Sequence, residues 1–573
     1  MACAALLLKR FCVIVVNMKE VIDSFLQGKG LMDAEAQLTV PVELDHGDYS
    51  TNAALVYAKE LSIEPRLLAI EIADRLKEHP DVERVDVAGP GFVNIRLKSV
   101  ALTRAVATIL NQGPDWGKGE LWKNKRVLIE KSAPNLFKPF HVGHLLNISI
   151  GESLSQLVRS VGAKVTDISY PSDISLGVAK AIWSLTHSNN SVAELNVHDL
   201  GKAYVEGTRA YDEDETAKSE IIEINKKLNE KIPSDEYDLY RRGIEINLEY
   251  FKRITTRLGS TFEGMFFESE SGGIGKQIVE SHLNTVFNES QGAIIFKGED
   301  YGLHTRVFVT SRGLPVYEAK DIGLLKLKFD KYNPDLSVVI TDVEQRQYFE
   351  VIKKAASLIE PTWAERSLYW QHGRLRFQGG KISSRYGNVP LAEDLLEQVK
   401  AKVLEVVIQS VHVAETDHAT LAEQIALGAL KYAFLKPSAG HNIVFDFEHS
   451  ISLTGDSGPY VQYSYARACS IVRSGADAGL IPTVGSILSE NQRIVIRHLV
   501  QFPDVITRAV TDFSPHHVAQ YIGELASIYN SWYSKEHVLG DAEAEHRLAL
   551  TQAVAITLRN ALGVLGIPAP ERM

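Results

Sequence analysis

The chain has 573 residues, 61 Lys and Arg against 72 Asp and Glu for a formal charge of −11, 45% apolar and 23% charged residues. At roughly 150 residues per domain this is about four units of ordinary globular composition, which excludes disorder, collagen or coiled coil as a description of the whole. The acidic balance excludes a protein that coats nucleic acid without selectivity, but leaves room for an RNA gripped by a local basic face.

The longest apolar run, MACAALLL followed by FCVIVV, is split by Lys9 and Arg10 and falls short of the ~20 residues that span a bilayer, so no membrane partner is expected. Cys3, Cys12 and Cys469 can build neither a disulfide framework nor a CxxC zinc site, which suits a reducing cytoplasm. Residues 1–17 precede Met18 and lack a small-residue cleavage box. We read them as an upstream extension rather than a signal peptide and set them apart from the fold.

Residues 18–110 read as a small α+β unit. It has an amphipathic start, the turn-rich DHGDYSTNAAL, a helical EPRLLAIEIADRLKEH, and two alternating strands, DVERVDVAG and GFVNIRLK, joined by a hairpin turn at Gly89, Pro90 and Gly91. The segment NQGPDWGKGELWKNK reads as a linker. A second domain, about 120–395, opens on the short strand RVLIEK, the loop SAPNLFKPFHVGH, the helical HLLNISIGESLSQLVRSVGA and the strand KVTDISY. Strand, crossover helix and strand demand parallel pairing with ligands at the carboxyl ends, which puts HVGH at a helix N-terminus. Residues 185–265 are charged and helical in pattern, a solvated insertion; GAIIFK, RVFVTS and LSVVIT then bring strands back, so the α/β domain resumes. Residues 396–573 are nearly all helical in pattern, with Pro568 and Pro570 ending the last helix.

Two clusters carry chemistry. In PNLFKPFHVGH the first turn of a helix offers unpaired N–H groups and positive dipole charge to a phosphate, His141 and His144 add donors there, and Gly143 leaves the backbone open to a flat ring such as adenine. Taken alone, HxxH also suits a zinc pair or ordinary surface histidines, although no HExxH and no nearby cysteine supplies a third ligand. In QGGKISSRYGN, Gly379 and Gly380 free the loop, Lys381 brings a mobile cation, and Ser383 and Ser384 bring hydroxyls that can close over a polyphosphate. A basic surface turn is the alternative. Neither this segment nor SGGIGKQ at 271–277 satisfies GxxxxGK[ST], since Lys276 is followed by Gln277.

In this order and separation the two clusters resemble the HIGH and KMSKS signatures of class I aminoacyl-tRNA synthetases. IEKSAPNLFKPFHVGHL, together with GDYSTNAAL, VYEAKDIG, VEQRQYF, GDSGPYVQYSYAR and LGVLGIPAPERM, resembles the arginyl-tRNA synthetase family over nearly the whole chain after Met18. The resemblance implies a Rossmann-type parallel-sheet catalytic domain, an additional N-terminal tRNA-binding domain at 18–110 and an all-α anticodon-binding domain at 396–573. It implies that L-arginine is ligated to its tRNA with ATP and Mg2+ through an adenylate, by a protein acting as a monomer, with no resident metal. His141, His144 and Lys381 are then catalytic, and Lys138, Gly143, Ser383 and Ser384 join them in holding ATP. Glu130, Asn135, Tyr317, Asp321 and Gln345 take the arginine, the two acids matching a planar five-donor guanidinium from positions beside strand ends or turns. Tyr460, Tyr463 and Arg467 meet tRNA, at spacings that equally suit a packed helix face. Ala133 stands where the family commonly has serine, and SYPSDISLG only loosely matches the family's Gly-Asp-Trp-Gly stretch, with Asp173 fitting. Two rival readings are a synthetase-like tRNA-binding protein without catalysis and a cysteinyl-type synthetase, which would need zinc-binding thiols.

Overall fold

The computed structural model describes residues 13–41, 43–188, 194–378, 390–409, 414–485 and 487–573. The first helix, Val13–Gly28, begins inside the segment set apart above, and buries Met18, Ile22 and Leu26 at helical spacing. Strands β1 (Tyr49–Thr51), β2 (Val82–Ala88) and β3 (Phe92–Leu97) form an antiparallel sheet in the order β1-β3-β2. Between β2 and β3 the hairpin turn holds Gly89 and Gly91 at φ +53° and +155°, where side chains are disfavoured. The turn-rich segment is more ordered than its composition suggests, since it supplies β1 and the start of helix Ala53–Leu61.

The linker is also ordered. Trp116 is buried, the Phe502 ring closes over Gly117, and Asn560 donates hydrogen bonds to the carbonyls of Gly113 and Trp116, each 2.9 Å. A second tie binds the N-terminal unit to the C-terminal helices. Asp48, fully buried, accepts from Leu97 N at 2.7 Å and from Arg493 Nη1 at 2.6 Å, while Arg497 donates to Pro41 O at 2.5 Å.

The central domain contains β4 (Arg126–Ser132), β5 (Lys164–Ser169), β6 (Gly264–Met265), β7 (Asn288–Ser290), β8 (Ala293–Phe296), β9 (Arg306–Val309), β10 (Leu336–Asp342) and β11 (Ser367–His372). Five of them form one parallel sheet in the order β11-β10-β4-β5-β6. Val127, Leu128 and Ile129 of β4 are buried, as a continuous apolar run requires of a strand covered on both faces. GAIIFK and RVFVTS do not rejoin that sheet; as β8 and β9 they join β7 in a separate antiparallel sheet in the order β7-β8-β9, and LSVVIT returns to the parallel sheet as β10.

The charged insertion folds into helices Val197–Glu213, Glu215–Asn229 and Asp235–Arg257, which bury Leu200, Ile221, Ile224, Tyr240 and Phe251 behind their solvated faces. After the sheet, β12 (Leu375–Gln378) pairs in parallel with β13 (Ile443–Asp446), a strand inside the stretch read as helical. The remainder is a helical domain running from His418–Leu435 to Ala544–Val564. No helix among the described residues is long and apolar enough to cross a membrane.

Candidate active site

The loop after β4 is held from three sides. Leu136 N donates to Ser172 O at 3.1 Å and Ser172 N to Pro134 O at 2.9 Å, tying the loop to the end of β5. Phe137, buried, adopts φ +61°, an unfavourable conformation for a bulky residue, and its ring fills the space above Gly243 of the insertion. The insertion therefore braces the loop rather than only facing solvent. On the third side Val142 N donates to Pro390 O at 3.1 Å and Ala392 N to Phe140 O at 2.8 Å.

His141 is the N-cap of helix Val142–Ser160. Its Nδ1 accepts from Gly143 N at 3.0 Å, His144 Nδ1 accepts from His141 N at 3.3 Å, and the two rings stack at 3.9 Å. Burial, reinforced by Lys138, pushes the pKa of His141 below its ordinary value; burial, His141 and Lys138 push His144 well below. Both rings are thus neutral near pH 7, and an accepting Nδ1 puts the single proton on Nε2. Two neutral N–H donors at the positive end of a helix suit a phosphate. Gly143 is required by the histidine itself, because a Cβ there would lie 2.8 Å from His141 Cε1.

A cavity of about 610 Å3 opens at the carboxyl ends of the parallel strands. His141, Gly143 and His144 line it, as do Glu130, Asn135, Tyr317, Asp321 and Gln345. Lys138 does not; its ammonium lies 3.8 Å from the centre of the Tyr204 ring, on the insertion. Lys381, Ser383 and Ser384 lie outside the described residues. Asp321 is one turn inside helix Tyr317–Tyr332 rather than at a strand end or turn, and Tyr317, at the head of that helix, is 54% exposed. Ala133 lines the same cavity. Asp173, buried, accepts from Tyr240 of the insertion at 2.8 Å and from Ser269 N at 2.9 Å, so it joins the insertion to the cavity wall.

The charges in the cavity are distributed unevenly. Glu130 is ion-paired with Lys328, Glu268 with Lys320 at 2.6 Å, and Glu318 with Arg306 at 3.1 Å. Asp321 forms no salt bridge among the described residues; its carboxylate accepts one hydrogen bond, from Tyr348 at 2.6 Å. Burial pushes its pKa up to about 7, against the lowering effect of Tyr348. An enclosed, under-neutralised acid is an acceptor for a cationic group. Sequence reasoning missed Lys328 and Tyr348. Lys328 lies seven residues from Asp321, hence on the same helix face, which is the signal that was available.

Tyr460, Tyr463 and Arg467 lie half-buried on helix Gly458–Asp477, away from this cavity, and they hold one another. Arg467 donates to Asn530 at 2.5 Å and to Tyr463 OH at 3.2 Å, and Asn530 donates to Tyr460 OH at 3.0 Å.

A parallel five-stranded sheet with a histidine-capped crossover helix is the catalytic architecture of a class I aminoacyl-tRNA synthetase, and the family model described as "tRNA synthetases class I (R), catalytic domain" matches residues 105–447. "Arginyl tRNA synthetase N terminal domain" matches residues 16–97 and "DALR anticodon binding domain" residues 461–573. Arginine–tRNA ligase 1 of Bacillus cereus is 30% identical over 531 residues, 90% of this chain and 92% of that protein. The arginine–tRNA ligase of Clostridium acetobutylicum is 26% identical over 95% of this chain and 97% of its own length. The solved arginyl-tRNA synthetase of Thermus thermophilus shares the fold, with a TM-score of 0.80 at 24% identity over 97% of this chain and 99% of that one. This chain belongs to the arginyl-tRNA synthetase family.

Proposed function

We infer that the chain ligates L-arginine to its cognate tRNA in two steps. The arginine carboxylate attacks the α-phosphorus of ATP, forming the mixed anhydride and releasing pyrophosphate; a terminal ribose hydroxyl of tRNA then attacks the carbonyl carbon and AMP leaves. The observation that carries the reading is Asp321, a carboxylate with no salt bridge among the described residues, in a cavity that His141 and His144 also line. Positioning and charge stabilisation suffice for such a reaction, because the attacking and leaving groups both belong to the substrates. The Nε2–H groups of His141 and His144 hold phosphate oxygens, with Lys381 and the hydroxyls of Ser383 and Ser384 closing from the second signature. Asn135, Tyr317 and Gln345 orient the arginine around the guanidinium held by Asp321.

Magnesium would come with ATP and would neutralise charge on its phosphate oxygens. Tyr460, Tyr463 and Arg467 contact tRNA through their exposed edges in a protein that acts as a cytoplasmic monomer. Charging of total tRNA with each radiolabelled amino acid tests the reading: arginine alone should be incorporated. Incorporation of cysteine, or of none, would replace it with one of the two rivals.

A further inference from the structure

Helix Asp235–Arg257 of the insertion is 23 residues long, a rod of roughly 35 Å. Its middle meets the first signature: Gly243 receives the Phe137 ring, the Tyr250 ring stands edge-on to Phe140 at 5.5 Å, and Tyr240 donates to Asp173 at 2.8 Å. Its carboxyl end is held from the helical domain. Lys431, on helix His418–Leu435 and 3% exposed, donates through Nζ to Leu258 O at 2.7 Å and to Gly566 O at 2.5 Å. Leu258 is the C-cap of the rod and Gly566 follows the C-cap of the last helix, Ala544–Val564, so the negative ends of two helices share one ammonium. On the same helix as Lys431, Glu423 takes Arg257 through two hydrogen bonds of 2.5 and 2.9 Å.

Lys431 forms no salt bridge among the described residues, and burial pushes its pKa down to about 8, with Glu152 of the signature helix opposing that and Lys131 of β4 adding to it. A buried ammonium met only by carbonyls is a costly way to fill space. What it adds is direction, since it fixes where the rod and the last helix end against one another.

We propose that Lys431 is a positioning residue of the ATP site: by clasping Leu258 and Gly566 it fixes helix Asp235–Arg257 against the helical domain, and that helix fixes Phe137 and with it the histidine cap. Phe137 is where such a link is felt. At φ +61° its backbone stays in an unfavourable region only while the ring is held, and Gly243 is the position that holds it. His141 follows four residues later. If the carboxyl end of the rod is released, the rod can tilt, the ring follows and Phe137 relaxes, carrying the imidazole donors off the phosphate. A displacement of ~1 Å at reacting groups costs on the order of 10²-fold in rate, so a residue remote from the chemistry can govern it.

Hydrogen exchange of the full-length protein without substrates tests the link first. In Lys431→Met, which keeps the bulk and removes the donor, the amides of residues 140–144 should exchange at least ~10-fold faster, as they should in Gly243→Ala, while strand Lys164–Ser169 of the same domain keeps its protection. No change at 140–144, or a rise matched in that strand, would overturn the proposal. The second arm is a double-mutant cycle on kcat for aminoacylation, and this arm alone rests on the ligase reading above. Lys431→Met and Gly243→Ala should each lower kcat at least ~10-fold with the KM for tRNA nearly constant, and the double variant should be no slower than the slower single, because both release the same ring. Effects that multiply would overturn the proposal in favour of a separate route, such as Ser153 of the signature helix, whose Oγ donates to Val564 O at 3.3 Å. Should Lys431→Met not fold, Arg257→Gln, which cuts the tie to Glu423, replaces it in both arms. Native protein that charges no amino acid would refute the ligase reading, and the exchange arm would still decide this one.

Discussion

His141 is bridged to Leu391: the backbone around the first signature forms an antiparallel contact with the residue that follows the second signature segment, closed by Val142 N to Pro390 O at 3.1 Å and Ala392 N to Phe140 O at 2.8 Å. Pro390, Leu391 and Ala392 are therefore fixed beside the histidine cap, whose His141 lines the cavity that holds Asp321. The consequences can be measured one residue at a time.

Asp321→Asn keeps the shape of the side chain and removes its charge. A charge-assisted hydrogen bond contributes about 1.5–3 kcal/mol, so the KM for arginine should rise about 10- to 150-fold with the KM for ATP nearly constant. Steady-state aminoacylation with each substrate varied in turn checks this, and equal rises in both would contradict the assignment.

The pKa of Asp321, pushed up to about 7 chiefly by burial, gives arginine binding a pH dependence of known sign. The guanidinium binds the ionised acid, so below pH 7 arginine must displace a proton; affinity should fall by up to about tenfold per pH unit there and level off above pH 8. Tyr348→Phe removes the hydrogen bond that favours the ionised form and should move the midpoint upward. Arginine titrations between pH 5.5 and 8.5 read both effects.

Gly143→Ala would place a Cβ 2.8 Å from His141 Cε1, and an imidazole whose Nδ1 caps its own helix cannot turn aside without losing that bond. Activation should fall by about 10²-fold, in the range seen when one preorganised donor is lost, while far-ultraviolet circular dichroism stays unchanged. A native rate would show that the His141 ring is not held as described.

Asp48→Asn should act on stability rather than chemistry. Breaking a buried ion pair by removing one partner costs about 3–5 kcal/mol, and Asp48 also holds Leu97 N, so the thermal unfolding midpoint should drop by several degrees. The exposed neighbour Asp45 provides the control: Asp45→Asn should leave the midpoint in place.

Local patterns carried much of this architecture. The apolar β4, the loop and the helix behind it are contiguous, so a strand–helix–strand reading put HVGH at a helix N-terminus without further information. Pairing over long separations was less legible. GAIIFK and RVFVTS are apolar runs like LSVVIT, and nothing within a run says which sheet it joins. Asp321 was misplaced beside a strand end or turn because VYEAKD carries no strong cap; it opens a helix whose N-cap, Val316, has no capping side chain. Lys328 resembles any other lysine of LLKLKFDKY until Glu130 is brought beside it. The insertion's charges hid the fact that Gly243 receives the ring of Phe137.

The central claim is that the two signature segments meet on one triphosphate beside a pocket for a cationic side chain. A crystal structure with arginine and a non-hydrolysable ATP analogue tests it most directly. The account predicts phosphate oxygens within hydrogen-bonding distance of Nε2 of His141 or His144 and of the segment 379–389, with the guanidinium on Asp321. A triphosphate bound away from either segment, or a guanidinium remote from Asp321, would contradict it.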